Sequence, residues 1–229
     1  MITIGYIYPT DRYAVVSHNF FYSYCQAFSN DKAGLLSQNS IAVSCHGIGM
    51  VVGRNKLVEY FLDNTEDEFL WILDTDIGFQ ANAPGMLLDT ITDTIEDPDK
   101  LDVVVGALCY GQDNNRSDGF GGYISEKFPV VYDFVRDESG LAGYAINRDW
   151  NHGQIVQVGA TGAGCLLVPR QVLLAVEKEY GRSWFNQVKY SNGEVVSEDL
   201  SFCYRLSTLG IRIFVNTNIR TSHHKAVWI

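Results

Sequence analysis

Phe69-Leu70-Trp71-Ile72-Leu73-Asp74-Thr75-Asp76 is an unbroken apolar run that ends in two carboxylates. A strand with one wet face alternates apolar and polar residues, so a run without alternation predicts a central strand covered by helices on both sides. Acidic residues immediately past the end of such a strand stand where open α/β sheets bind their ligands. A pair so placed can hold a hard divalent cation, which in turn neutralises phosphate oxygens. For a bare Asp-x-Asp elsewhere, a polar turn with an aspartate capping the next helix would suffice; after a buried run the functional reading takes precedence.

The flanking sequence repeats one theme. Ile2 to Ile7 reads as a strand that stops at Tyr8-Pro9-Thr10-Asp11, and Val16, Phe20, Phe21, Tyr24 and Phe28 then recur at helical spacing. Ile41 to Cys45 is a second strand, His46-Gly47-Ile48-Gly49 a turn, and Val51 to Leu62 a helix. Beyond Asp76, Pro84 opens a helix through Leu87, Leu88, Ile91 and Ile95, and Leu101 to Leu108 supplies a fourth strand. Strands alternating with helices predict a mostly parallel, open α/β sheet.

The second half changes character. Residues 111 to 122 are polar and glycine-rich, which predicts a long functional loop. Pro129 to Val135 and Leu141 to Ile146 read as two antiparallel strands around the turn Asp137-Glu138-Ser139-Gly140. Val156 to Val168 is extended and broken by glycine, Pro169 to Tyr180 is helical, and Glu198 to Leu209 is a helix capped by Ser197 and stopped by Gly210. Ile211 to Val215 is the last expected strand. The polar run Asn216 to Lys225 has too few apolar residues to be pinned down and is expected to order only on binding.

Composition bounds the function. Among 229 residues, 17 Lys plus Arg face 27 Asp plus Glu, a formal net charge of −10, which disfavours non-specific nucleic-acid binding. With 46% hydrophobic and 19% charged residues the chain can bury a substantial core. No apolar run approaches the ~20 residues of a membrane-spanning helix, and the first residues do not read as a signal peptide. The 5 cysteines are widely spaced without a Cys-x-x-Cys pair, as expected of buried reduced thiols in a cytoplasmic protein.

Beyond Asp74 and Asp76, four features could carry chemistry. Glu198 and Asp199 open a helix, where acidic residues also simply suit the helix dipole. His223 and His224 lie in a polar tail, where surface histidines are ordinary but imidazole is also a common metal ligand. The segment Gly159-Ala160-Thr161-Gly162-Ala163-Gly164 lacks the ending of a phosphate-binding P-loop, and its glycines suit either a bulge or close approach of a substrate. Arg54-Asn55, early in the second helix, gains weight only from context.

In this order, the features resemble a nucleotide-sugar-dependent glycosyltransferase of the GT-A fold, similar to glycosyltransferase family 2. The resemblance spans nearly the whole chain and implies a single Rossmann-like α/β domain over residues 1–229. Its mostly parallel central sheet would carry a smaller antiparallel part, with 1–108 the nucleotide-binding half and 109–229 the acceptor and catalytic half. It implies that Asp76 ligates Mn²⁺ or Mg²⁺ on the donor diphosphate, that Asp74 contacts the ribose or the metal, and that His223 or His224 is the last ligand. Pro9, Thr10, Arg54, Asn55 and Gly162 would line the donor, a UDP- or GDP-linked sugar. Asp199 would be the general base on the hydroxyl of a glycan, protein or small-molecule acceptor, and Glu198 would position that acceptor. Two departures stand out: the His46-Gly47 region replaces the usual acidic residue after the second strand, and no separate acceptor domain is evident.

The expected reaction is an inverting single displacement. A haloacid-dehalogenase-like phosphatase also places Asp-x-Asp after an apolar strand, but normally the first strand, followed by Gly-Thr or Gly-Val; here Ile77-Gly78-Phe79 follows. A non-catalytic nucleotide-sugar- or carbohydrate-binding domain that kept the metal site is the other alternative.

Overall fold

The computed structural model of the protein describes all residues except 9–15, 46, 98–99, 118–122, 137–141, 190–192, 194 and 225–229. Its main sheet is ordered β10-β13-β5-β12-β3-β1-β2. In chain order these strands are β1 (Ile2–Tyr8), β2 (Ile41–Ser44), β3 (Phe69–Asp74), β5 (Val103–Leu108), β10 (Ile155–Val158), β12 (Cys165–Pro169) and β13 (Arg212–His223), with β4 (Ile77–Phe79) paired to the end of β13. Strand β1 runs parallel to β2 and β3, and β13 parallel to β5, whereas β12 is antiparallel to both β3 and β5 and β10 is antiparallel to β13. The sheet is therefore mostly parallel, as expected, with strands from both ends of the chain in it.

Helices α1 (His18–Asn30) and α3 (Ala83–Thr94) cover one face; α2 (Gly49–Asn64), α4 (Arg170–Tyr180) and α5 (Glu198–Thr208) cover the other. Strand β3 shows why its sequence does not alternate. Leu70 and Ile72 pack with Leu57, Phe61, Leu173 and Phe202, while Trp71 and Leu73 point the opposite way into Phe20, Leu87 and Ile91. All of Leu70 to Leu73 are 0% exposed. Arg170, at the start of α4, caps the end of α2 by donating to the carbonyls of Phe61, Leu62, Thr65 and Asp67, with its guanidinium 4.4 Å from the Phe61 ring centroid.

The antiparallel part consists of a sheet ordered β11-β8-β9, from β8 (Val131–Arg136), β9 (Ala142–Ile146) and β11 (Ala160–Thr161), and the hairpin β6-β7. The turn 137–140 and His46 lie outside the described residues. The hairpin corrects one expectation. Much of the polar stretch 111–122 is a strand, β6 (Tyr110–Ser117), paired with β7 (Tyr123–Pro129) through backbone bonds that require no apolar period.

The end of the chain corrects another. Residues 216–223 are not a tail awaiting a ligand but the second half of β13, held by β5 and β4. Polar bonds add to the burial of Ile219 there: Asn216 Nδ2 donates to Thr90 Oγ1 at 2.8 Å, and Thr221 Oγ1 donates to the Leu108 carbonyl at 2.9 Å. Smaller differences concern Ser197, whose hydroxyl makes no capping bond, and the thiols. All five cysteines are free, but Cys25 is exposed and Cys45 half-buried. Among the described residues no helix is long and apolar enough to cross a membrane.

Gly159 joins the two sheets. A Cβ there would lie 2.5 Å from the Phe134 amide nitrogen and 3.1 Å from the Asp133 carbonyl carbon, and backbone cannot swing aside as a side-chain tip can. Gly159→Ala should cost about 2 kcal/mol in chemical denaturation by overpacking, and an unchanged midpoint would show that the strands do not approach this closely.

Candidate functional site

The site forms where β3, α2, α5 and the glycine segment meet. Strand β3 ends by delivering Asp74, whose amide donates to the Gly164 carbonyl at 3.0 Å. The next residue, Thr75, turns inward: it is 5% exposed, and its hydroxyl donates to the Ile7 carbonyl. Asp74 and Asp76 are thereby left on the open side, 25% and 38% exposed.

Arg54, on α2, is 2% exposed and lies among carboxylates from three elements. Its Nη1 donates to Asp199, its Nη2 donates to both oxygens of Asp74 at 3.1 and 3.3 Å, and its Nε lies 3.9 Å from Glu198 Oε1. Phe185 closes the inner side, 5.5 Å from the guanidinium and stacked on Phe202. Burial opposes the charge on Arg54, yet Asp199, Asp74, Glu198 and Asp76 outweigh it and hold the guanidinium above its ordinary range. Burial likewise raises Asp74, opposed by Arg54. Asp199 is pushed up to about 6, again chiefly by burial, with Arg54 and the Ala163 amide pulling the other way and Glu198 and Asp74 adding to the rise.

The glycine segment lies against these carboxylates. A Cβ on Gly164 would crowd Asp74 Oδ2 at 3.2 Å, whereas one on Gly162 would crowd Val130 Cγ1 at 3.0 Å and stand in ordinary contact, 3.6 Å, with Asp199 Oδ2.

The two histidines part company. His223 Nε2 is 3.0 Å from Asp76 Oδ2, and its Nδ1 is 2.9 Å from the Tyr110 carbonyl oxygen. A carbonyl only accepts, so Nδ1 carries the proton, and in the neutral ring the Nε2 lone pair faces the carboxylate. Two acceptors at that distance need a second ring proton or a cation between them. His224 is turned away, against Ser222 Oγ at 2.8 Å and Asn19.

Among the described residues, no group of three or more His, Cys, Asp or Glu side chains stands preassembled around a metal position. The donor set still suits a hard divalent ion: carboxylate oxygens at Asp74 and Asp76, an imidazole nitrogen at His223, and the Tyr110 carbonyl behind that ring to fix it. The surrounding charge suits one too, since four carboxylates face one buried guanidinium.

Pro9 and Thr10 lie outside the described residues. Asn55 stands one residue past Arg54 but bonds Asn186 and the Phe185 amide, tying the loop before α5 to α2. Residues that sequence reasoning missed are Phe185, Tyr132 and Tyr110. Burial, and then the charge of Asp199, raise the Tyr132 hydroxyl. None of the three sits in a motif; Tyr110 acts through its backbone, which no sequence signal reports.

No protein-family model matches the chain, and no curated protein matches its sequence. Solved structures do match its fold. The chain is similar to A197 from STIV, at 17% identity over 99% of this chain and 87% of that one, with a TM-score of 0.54. It is also similar to GalNAc-T7, crystallised with UDP, GalNAc and Mn²⁺, at 10% identity over 97% of this chain but only 42% of that one, with a TM-score of 0.57. The chain has a GT-A-like fold.

Arg54→Met should remove the buried counter-charge and cost about 3 kcal/mol at pH 7.5, the penalty of stranding its carboxylates. Without Arg54 those carboxylates take up protons more readily in the folded state, so the deficit should shrink as pH falls toward 5. Urea unfolding at both pH values tests this; an equal loss at both would assign Arg54 to packing on Phe185 instead.

Proposed function

We propose that this chain is a metal-dependent glycosyltransferase, moving a sugar from a UDP- or GDP-linked donor to a hydroxyl of a glycan, protein or small-molecule acceptor. The observation that carries this reading is the convergence of Asp74, Asp76, Glu198 and Asp199 on one buried guanidinium, with His223 beside Asp76. Such a set repels a diphosphate unless a cation joins it. The ligands named for GalNAc-T7, UDP, GalNAc and Mn²⁺, support the same classes here.

Asp76 and His223 would hold Mn²⁺ or Mg²⁺, with Asp74 oriented beside them by Arg54. When bound, the ion offsets the negative charge developing on the leaving diphosphate. The remaining work falls to the protein's own groups. One oxygen of Asp199 is held by Arg54, while the other lies on the side of Gly162. That second oxygen takes the proton of the acceptor hydroxyl as the hydroxyl oxygen bonds to the anomeric carbon and the bond to the diphosphate breaks. Glu198, in the same helical turn, orients the acceptor. A single displacement of this kind inverts the anomeric centre.

Asp76→Asn should abolish the Mn²⁺-dependent stabilisation that a UDP- or GDP-sugar confers by mass action, with ligand-free stability within about 0.5 kcal/mol of the parent. Thermal shift with and without Mn²⁺ measures both, and retained Mn²⁺-dependent stabilisation would reject Asp76 as a ligand.

Asp199 should reveal itself through pH. A general base works ionised, so wild-type turnover should fall as pH drops through about 6. Asp199→Asn should lose that limb and lower turnover by roughly 10²-fold, with donor affinity kept within a few-fold. A collapse of donor affinity would make Asp199 a binding or structural group.

A further inference from the structure

Building on that reading, we infer that Lys127 is a second cation for the donor's diphosphate, in the cleft between the β6-β7 hairpin and the end of β13. The cleft is a cavity of about 510 Å³ lined by Lys127, by Tyr110 and Gly111 at the start of β6, and by the 221–224 end of β13. That volume suits a small-molecule ligand. In a chain of net charge −10, no carboxylate lines this cavity among the described residues. Its lining side chains are a lysine, two imidazoles, two hydroxyls and a phenol, and of these Lys127 brings the permanent positive charge that a phosphate oxygen favours.

Position makes the same argument. The cavity shares His223 with the Asp76 pair, so a ligand filling it reaches the place where the cation would sit. Lys127 is exposed, makes no ion pair with a described residue, and is carried on the hairpin in register with Gln112. On the other flank stand Glu198 and Asp199, which repel phosphate and suit a neutral hydroxyl. Charge therefore divides the site: diphosphate on the hairpin side, acceptor on the α5 side. A cavity of similar size, about 490 Å³, lies between α2 and the edge strand β2, but Glu59 and Asp63 line it beside Lys56, which disfavours an anion there.

The test is calorimetry on the full chain with inorganic pyrophosphate as the probe, with and without Mn²⁺, for wild type, Lys127→Gln and Lys127→Arg. Losing one charge-assisted contact should weaken pyrophosphate roughly 10-fold in the Gln variant, more at low salt, with an unchanged ligand-free melting temperature. The Arg variant should recover most of the loss. Equal pyrophosphate affinity in wild type and Lys127→Gln overturns the assignment, as does a loss that Lys127→Arg does not recover. The two readings fail separately. If Mn²⁺-dependent nucleotide-sugar binding persists but ignores Lys127, the cleft is rejected and sugar transfer stands; if pyrophosphate binding depends on Lys127 while no nucleotide sugar binds with Mn²⁺, the cleft stands and sugar transfer falls.

Discussion

A guanidinium that is 2% exposed cannot be left without counter-charge, and the site is built around how that requirement is met at Arg54. Its partners come from the end of β3 and the first turn of α5, so one buried cation fixes the distance between two elements far apart in the chain. Asp74 holds its place beside Gly164 with Arg54 drawing it inward; Asp199 has one oxygen on Arg54 and the other beside Gly162. The carboxylates still outnumber the charge that holds them. That surplus is what makes a cation, rather than another side chain, the missing component in the reading proposed above.

Much of this architecture was legible because burial on two faces leaves a plain trace. The run Phe69 to Leu73 could be read as a central strand since Leu70 and Ile72 must satisfy one layer and Trp71 and Leu73 the other. The same logic located the helices, whose apolar stripes recur at helical spacing. What escaped is structure held by backbone pairing or polar bonds. Residues 216–223 carry Asn, Thr, Arg and Ser yet continue β13, because β5 and β4 supply partners and Asn216 and Thr221 bond inward. The hairpin of β6 and β7 escaped for the same reason.

Within the site, legibility followed chain distance. Asp74, Asp76, Glu198 and Asp199 could be nominated from local context: the end of a buried strand and the start of a helix. The part played by Arg54 could not, because its partners lie 20 and 145 positions away and a lone arginine on a helix looks the same whether solvated or buried. Sequence placed it near the nucleotide; the structure sets it between carboxylates. Nor could sequence choose between His223 and His224. The fold separates them: the His223 ring meets the Asp76 carboxylate, whereas His224 meets Asp76 only through its backbone amide and turns its ring to Ser222 and Asn19.

These contacts also explain how so acidic a cluster can exist before any ligand arrives. Each carboxylate drawn toward a shared cation already has a partner it can relinquish or share: His223 for Asp76, Arg54 for Asp74 and Asp199. Buried like charges without such partners would protonate or push the elements apart. On the proposed reading, the Asp76 carboxylate and the His223 imidazole would hold the divalent ion from where they already stand, so little else need move. The fixed points are then backbone contacts, the Gly164 carbonyl behind Asp74 and the Tyr110 carbonyl behind His223. Neither changes charge, and both are anchored to the paired framework, Tyr110 at the start of β6 and Gly164 immediately before β12, so the side chains in front of them keep their aim.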